Sequence, residues 1–495
     1  MPERCTVRGV TLDIATATAA QLARAIRQKQ ISSRELLEDL LARADLVNPA
    51  LNAIVAWDVE RARAAASAAD EAITRGQLAG SLHGLPMTVK DVWETEGLVT
   101  TSGATELAAY IPASDALGVA RLRRAGAVIF GKTNTPAYAG DWQTYNDVYG
   151  RTSNPWDVSR TAGGSSGGAA AAVAAGLTPL EFGSDIGGSI RVPSHFNGVY
   201  GLKPSWGVVP VRGHIPGPPG SLLTVDVGVA GPIARSVRDL RIAFGVLAGP
   251  LPEDAPGWRL DLDPGSELTN VAGLRVAIVF GEGAEVVPIA HDVRMLLDGF
   301  AARLSAAGAV VKEARLPVPL ADGLRTWRDV TMPILGAGLP DDVFAGLARL
   351  PDEPDDDPTL AMERAMVSRY RDVQTATNLR QRQRVAWAEF FGNYDVVLAP
   401  VMPVAAFPHD TERPFDERML DVDGVAVRHP LAAAWVCAIG VMLLPVVTLP
   451  VGLTGAGLPA GVQVVGPFLS DLWLLRVAEL MDAAAGPGFS PPSGG

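Results

Sequence analysis

The chain is poor in cysteine: Cys5 and Cys437 are the only two among 495 residues. Two cysteines build no disulfide framework and fit a reducing compartment, and Cys437 in "AAAWVCAIG" reads as a small buried hydrophobe. Histidine is scarce as well. His83, His195, His214, His291, His409 and His429 show no metal-ligand spacing, with or without the cysteines. That argues against a zinc centre and against a nucleophile activated through a recognisable histidine motif; no metal and no cofactor is expected. Positive charge is in the minority. Lys plus Arg number 42 against 54 Asp plus Glu, a net charge of −12, so the basic footprint of a nucleic-acid binder is missing. The opening "MPERCTVRGVTLDIATATAA" has no basic segment followed by an apolar one, so no signal peptide is expected, and a cytoplasmic location is. One charge-free stretch, "LAAAWVCAIGVMLLPVVTLP" at 431–450, has the length of a membrane span. Pro445 and Pro450 interrupt it and β-branched residues gather at its end, so it reads as a buried helix running into a buried strand.

Glycine is what the chain has in quantity. Two glycine-wrapped serine clusters, "GGSSGG" at 163–168 and "GSDIGGS" at 183–189, share one short span. Glycine is entropically costly in a fold unless the backbone needs positive φ or something must come close to it. A flexible linker fits the first cluster poorly, because a helix-forming alanine run follows at once. A phosphate cradle fits no better, since the P-loop Lys-Ser or Lys-Thr and the dinucleotide spacing are both absent. "DIGGS" can instead aim several backbone N–H groups at one point, as an anion nest or an oxyanion hole beside a serine nucleophile does. A serine hydroxyl needs a base. Without a histidine motif, the candidate is a lysine kept neutral by burial. Lys90, closing the apolar segment "LPMTV" on an expected buried strand, suits that role.

The rest of the chain alternates between helix and strand patterns. Residues 18–47 read as two helices, the second opened by a Ser32-x-x-Glu35 capping box, and "NPALNAIVAWD" reads as a turn and a strand. A helix over 62–73, a strand over 85–92, and a helix then a buried strand in "DALGVARLRRAGAVIFGKTN" come next. Further strands are expected at 274–281, in "AVVKEARLP" and at 394–403, with a helix near 290–307. Such alternation signals an α/β sheet covered on both faces. "PDEPDDDP" (351–358) reads as an acidic surface loop, and the tail 486–495 as disordered.

In its order of motifs the sequence resembles the amidase signature family of serine hydrolases. "HGLPMTVKDVWETEGLVTTSGA" is similar to that family's lysine segment, and "GKTNTPAYAGDWQTYNDVYGRTSNPWD" to the stretch leading into its signature. "GGSSGGAAAAVAAG" and "GSDIGGSIRVPSHFNGVYGLKPSWGVVP" resemble the signature itself. "GPIARSVRDL" and "LPVVTLPVGLTGAGLPAGVQVVGP" resemble the family's segments beyond the signature. The resemblance implies one large α/β domain over 1–495 with a central mixed, twisted β-sheet. Its parts would be a signature core at about 80–245, a substrate-covering insert at about 255–395 and C-terminal return strands at about 396–482.

It also implies a Ser-cis-Ser-Lys triad, with Ser189 as nucleophile, Ser165 as bridging serine and Lys90 as base. Ile186, Gly187, Gly188 and Ser189 would supply the oxyanion-hole N–H groups, and Ser166, Asp185 and Arg191 would fix the loops by hydrogen bonding. The implied activity is hydrolysis of the C–N bond of small amides, with esters, anilides and carbamates as related substrates. Tyr138, Trp142, Tyr145 and Trp327 are candidate pocket walls, with Trp206 and Trp435 as further aromatics. No charged residue stands out near the signature loops, which favours an apolar or aromatic neutral carboxamide. Two alternatives remain on the same fold: the glutaminase subunit of a tRNA-dependent amidotransferase, from whose pattern residues 135–146 depart, and a non-catalytic ligand-binding protein. The expected partner is a small-molecule amide, and a homodimer is left open.

Overall fold

Local signals set the first elements. In a computed structural model that describes residues 5–7, 10–215, 220–350 and 357–492, helices span Ala19–Arg27 and Ser33–Leu51. Ser32 Oγ accepts from Glu35 N–H at 3.0 Å and Glu35 Oε2 accepts from Ser32 N–H at 2.8 Å, the expected capping box. The second helix runs past the anticipated turn and holds Pro49 inside it. Asn48 explains this: its side-chain oxygen accepts from the N–H groups of Ala53 and Ile54, both at 2.9 Å. Asn52, at φ 52°, then ends the helix in the left-handed region that asparagine tolerates.

Among the described residues the central sheet has eleven strands. Across it they run Val310–Glu313, Arg275–Ile278, Val396–Pro400, Pro459–Val465, Val446–Leu453, Tyr200–Lys203, Val229–Ala234, Leu180–Asp185, Pro86–Lys90, Val128–Thr133 and Ile54–Trp57. It is mixed. The Leu180–Asp185, Pro86–Lys90 and Val128–Thr133 strands are mutually parallel, while Val229–Ala234 and the C-terminal pair are antiparallel to their neighbours. All three parallel strands are buried along their whole length, as strands covered by helices on both faces must be. The 431–450 stretch forms a buried helix, Ala434–Gly440, that leads to the strand Val446–Leu453. Among the described residues no helix is long and apolar enough to cross a membrane.

Two expectations need correction. Residues 255–395 are part of the sheet, which an insert would not be: their strands Arg275–Ile278 and Val310–Glu313 extend it at one edge, parallel to each other and, through Arg275–Ile278, to Val396–Pro400. Val276 and Ala277 are buried there and belong to the main core cluster. Helices His291–Ala306, Leu320–Gly336, Asp341–Leu347, Pro358–Met366 and Tyr370–Phe390 are the segment's helical elements among the described residues. The expected disorder of the tail does not reach Phe489, whose ring packs on a small core cluster that includes Ala169, Val173 and Ile190. The Arg235 guanidinium stands 6.0 Å from that ring's centroid. Residues 351–356 of the acidic loop and 493–495 of the tail lie outside the described residues.

Candidate active site

The Pro86–Lys90 strand carries its last side chain into a fully enclosed position. Lys90 and Ser165 are both 0% exposed, and Lys90 Nζ donates to Ser165 Oγ at 2.6 Å and to Ser184 Oγ at 3.1 Å. Burial pushes the Lys90 amine down to about 7, against the opposing pull of Asp185 and Glu181. Burial alone does not single this lysine out. Lys132 is pushed to about 8 and Lys203 to about 7, also by burial. Lys132, however, donates to Trp93 O and to Thr100 Oγ1 and faces Asp91 at 3.6 Å. Lys203 donates to Pro204 O at 2.9 Å. Only Lys90 is bonded to a serine of the glycine-rich clusters among the described residues.

Those clusters lie side by side. The Gly164–Ser165 peptide is cis. Gly164 has no room for a side chain, because a Cβ there would lie 2.4 Å from Asp141 O. The next residue along, Ser166, donates its N–H to Ser189 O at 3.1 Å, and the all-buried helix Gly167–Ala174 then leads away. Ser189 is 9% exposed, the most open of the three triad candidates. Among the described residues no hydrogen bond joins the Ser189 and Ser165 hydroxyls.

Asp185 gathers the second loop. Its carboxylate accepts from Gly188 N–H at 2.9 Å, Ile190 N–H at 3.0 Å and Arg191 Nε at 3.0 Å, with Arg191 Nη2 on its other oxygen at 2.8 Å. Burial raises this carboxyl, but the Arg191 charge and its hydrogen bonds outweigh burial and hold it at about 2. Arg191 in turn donates to Val436 O at 2.7 Å and Gln463 Oε1 at 2.8 Å. The loop carbonyls face outward. Ile186 O accepts from Trp327 Nε1 at 3.3 Å, Gly187 O from Trp142 Nε1 at 2.8 Å, and Gly188 O from Val192 N–H at 2.7 Å. Among the described residues the N–H groups of Ile186, Gly187 and Ser189 find no protein acceptor. Gly188 departs from expectation: its N–H is committed to Asp185 and is not free to meet an oxyanion.

The four aromatic candidates divide. Trp142 and Trp327 stand against the loop, together with Val436, which a Cβ on Gly188 would meet at 2.6 Å, and Cys437, whose Sγ lies 4.0 Å from Gly187 O. Tyr138 does not join them. At φ 51° and 41% exposed, it donates its hydroxyl to surface Glu106. The Tyr145 hydroxyl oxygen accepts from Arg418 Nη2 at 2.6 Å, and Arg418 Nη1 pairs with Asp141 at 2.6 Å. Sequence reasoning passed over Ser184, although it precedes Asp185 in the second serine cluster and lies on the strand beside that of Lys90. It also passed over Gln463, for which the sequence carries no local signal.

Fold and relatives define the class, a hydrolase that cleaves amide bonds with serine chemistry. The chain belongs to the amidase family, whose family model, described as Amidase, matches residues 35–328 and 352–475. An acylamidase from Rhodococcus erythropolis is 34% identical, over 94% of this chain and 95% of that one. The glutamyl-tRNA(Gln) amidotransferase A subunit of Acidothermus cellulolyticus is 31% identical over 95% of each chain. Among solved structures, a bacterial aryl acylamidase of the amidase signature enzymes superposes with a TM-score of 0.82 at 26% identity, covering 97% of this chain and 99% of its own.

Proposed function

We propose that this enzyme hydrolyses the C–N bond of small, apolar or aromatic carboxamides through an acyl-enzyme on Ser189. The observation that carries the reading is the 2.6 Å hydrogen bond from Lys90 Nζ to Ser165 Oγ in a wholly buried position, one residue from the backbone bond to Ser189. Neutral Lys90 draws a proton through Ser165 as Ser189 Oγ attacks the carbonyl carbon. The tetrahedral oxyanion is met by the unpaired N–H groups of Ile186, Gly187 and Ser189. The proton then passes back along the relay to the leaving amine, and water releases the acid. Losing one oxyanion donor typically costs on the order of 10²–10³ in rate.

The substrate preference rests on the walls. Trp142, Trp327, Val436 and Cys437 surround the loop with apolar surface, and the charged side chains nearby are spent on each other, as in the Arg418–Asp141 pair. A neutral acyl group fits such walls, and esters, anilides and carbamates share its carbonyl. The test is a panel of amide, anilide, ester and carbamate substrates assayed with wild type and Ser189→Ala, alongside labelling by a fluorophosphonate probe. Turnover and labelling are expected in wild type only; turnover kept by Ser189→Ala removes the assignment, and a wild type that is neither labelled nor active favours a binding protein.

A second reading draws support from likeness to amidotransferase A subunits along almost the whole chain. Glutamine carries a carboxylate and an ammonium, and each would need an unpaired partner of opposite charge. Ammonia released from glutamine faster than from neutral aromatic amides would establish that reading in place of ours.

A further inference from the structure

We propose that Trp327 is a positioning residue for the oxyanion-binding amide of Gly187, that Trp142 acts beside it by fixing the Gly187–Gly188 peptide between the two oxyanion-binding amides, and that through Trp327 the helix Leu320–Gly336 becomes part of the catalytic apparatus. The inference rests on the triad reading above and deepens it. In a planar trans peptide the C=O and N–H point in opposite directions, and Gly164–Ser165 is the only cis bond among the described residues. Holding an outer carbonyl therefore aims the amide of the next residue. The Trp327 indole N–H on Ile186 O directs the Gly187 N–H inward, and Val192 N–H on Gly188 O does the same for the Ser189 N–H. Between these two amides, the Gly187–Gly188 peptide is gripped at both ends, its carbonyl by Trp142 and its N–H by Asp185.

Packing agrees with the hydrogen bonds. A Cβ on Gly187 would lie 3.1 Å from Trp327 Cζ2 and 3.6 Å from Cys437 Sγ, so a glycine lets the indole close on the loop. Trp327 itself is buried on a helix that packs against Ala434–Gly440, and a Cβ on Gly323 of that helix would lie 2.8 Å from Ala438 Cβ. The helix thus reaches the reacting centre through one hydrogen-bond donor. A displacement of about 1 Å at such a centre costs on the order of a hundredfold in rate.

The test compares Trp327→Phe and Trp142→Phe with wild type, and places 3-benzothienylalanine at position 327 to remove the N–H while keeping the ring volume. A neutral amide substrate and a trifluoromethyl ketone that forms a tetrahedral adduct on serine are the probes. The expected result is a fall in kcat of about ten- to a hundredfold with KM changed less than about twofold. The ketone's inhibition constant should rise by the same factor as kcat/KM falls. A raised KM with kcat intact would make the indoles pocket walls and overturn the proposal. So would a loss of kcat that leaves ketone binding unchanged, or no change in either. Failure of the underlying reading shows separately, as wild type in which the ketone and the fluorophosphonate probe leave Ser189 unmodified.

Discussion

In the relay proposed above, the cost of keeping a charge out of water at Lys90 would set the working pH. Its ammonium form is disfavoured by burial, which leaves the amine at about 7, and only the free base can accept the proton from Ser165. Below that value the relay is protonated and idle, so kcat/KM for an amide is expected to climb as pH rises through about 7. Lys90→Ala should abolish this limb and slow amide hydrolysis more than that of a matched ester, whose leaving group needs little protonation. Equal losses on the two substrates would count against the relay. Arg191 poses the complementary case. Arg191→Met leaves the Asp185 carboxylate buried without its counter-charge, a change that typically costs about 3–5 kcal/mol. A lowered denaturation midpoint in urea, together with lost turnover, is the expected outcome.

Among elements, the second serine loop depends on a backbone that only glycine adopts easily. Gly188 sits at φ +101° with Val436 Cγ2 2.6 Å from the place a Cβ would take. Gly188→Ala should therefore lose stability through strain of about 1–3 kcal/mol and a steric clash as well. Adding Val436→Ala removes the nearest atom but leaves Val436 Cβ and Val192 Cγ2, each 3.0 Å from the added Cβ, so unfolding measurements should show partial recovery; no recovery at all would mean that the contact with Val436 Cγ2 contributes nothing to the loss. This contrast marks what the sequence makes legible. The Ser32–Glu35 capping box, the buried Lys90 strand and the two glycine clusters are written in neighbouring residues, and the structure has them. Gln463 on Arg191 and Trp327 on Ile186 join residues 272 and 141 positions apart, and no periodicity or spacing encodes such pairs. Tyr138 and Trp142 show a second limit. Both lie in one motif, yet the left-handed turn at Tyr138 sends one ring to the surface while the other closes on the loop.

For the molecule as a whole, the strand Arg275–Ile278 and the helices Leu320–Gly336, Pro358–Met366 and Tyr370–Phe390 share one continuous apolar cluster with the Lys90 strand, and Val311 of the edge strand packs against it. Arg380 of the helix Tyr370–Phe390 adds a tie, pairing through both terminal nitrogens with Asp226 at 2.8 and 2.9 Å. Residues 255–395 and the rest of the chain should therefore melt together. Tryptophan fluorescence, which reports Trp327 and Trp387 among others, and far-UV circular dichroism should give coincident thermal midpoints, whereas an early fluorescence transition would make residues 255–395 an independent unit. Ser189, at 9% exposed, is less completely enclosed than Lys90 and Ser165, and in the proposed mechanism this has a chemical consequence. Once the first product has left, a small nucleophile from the medium would reach the proposed ester as water does. Hydroxylamine in the medium should then compete with solvent for the acyl group and divert part of the flux into hydroxamate, in proportion to its concentration.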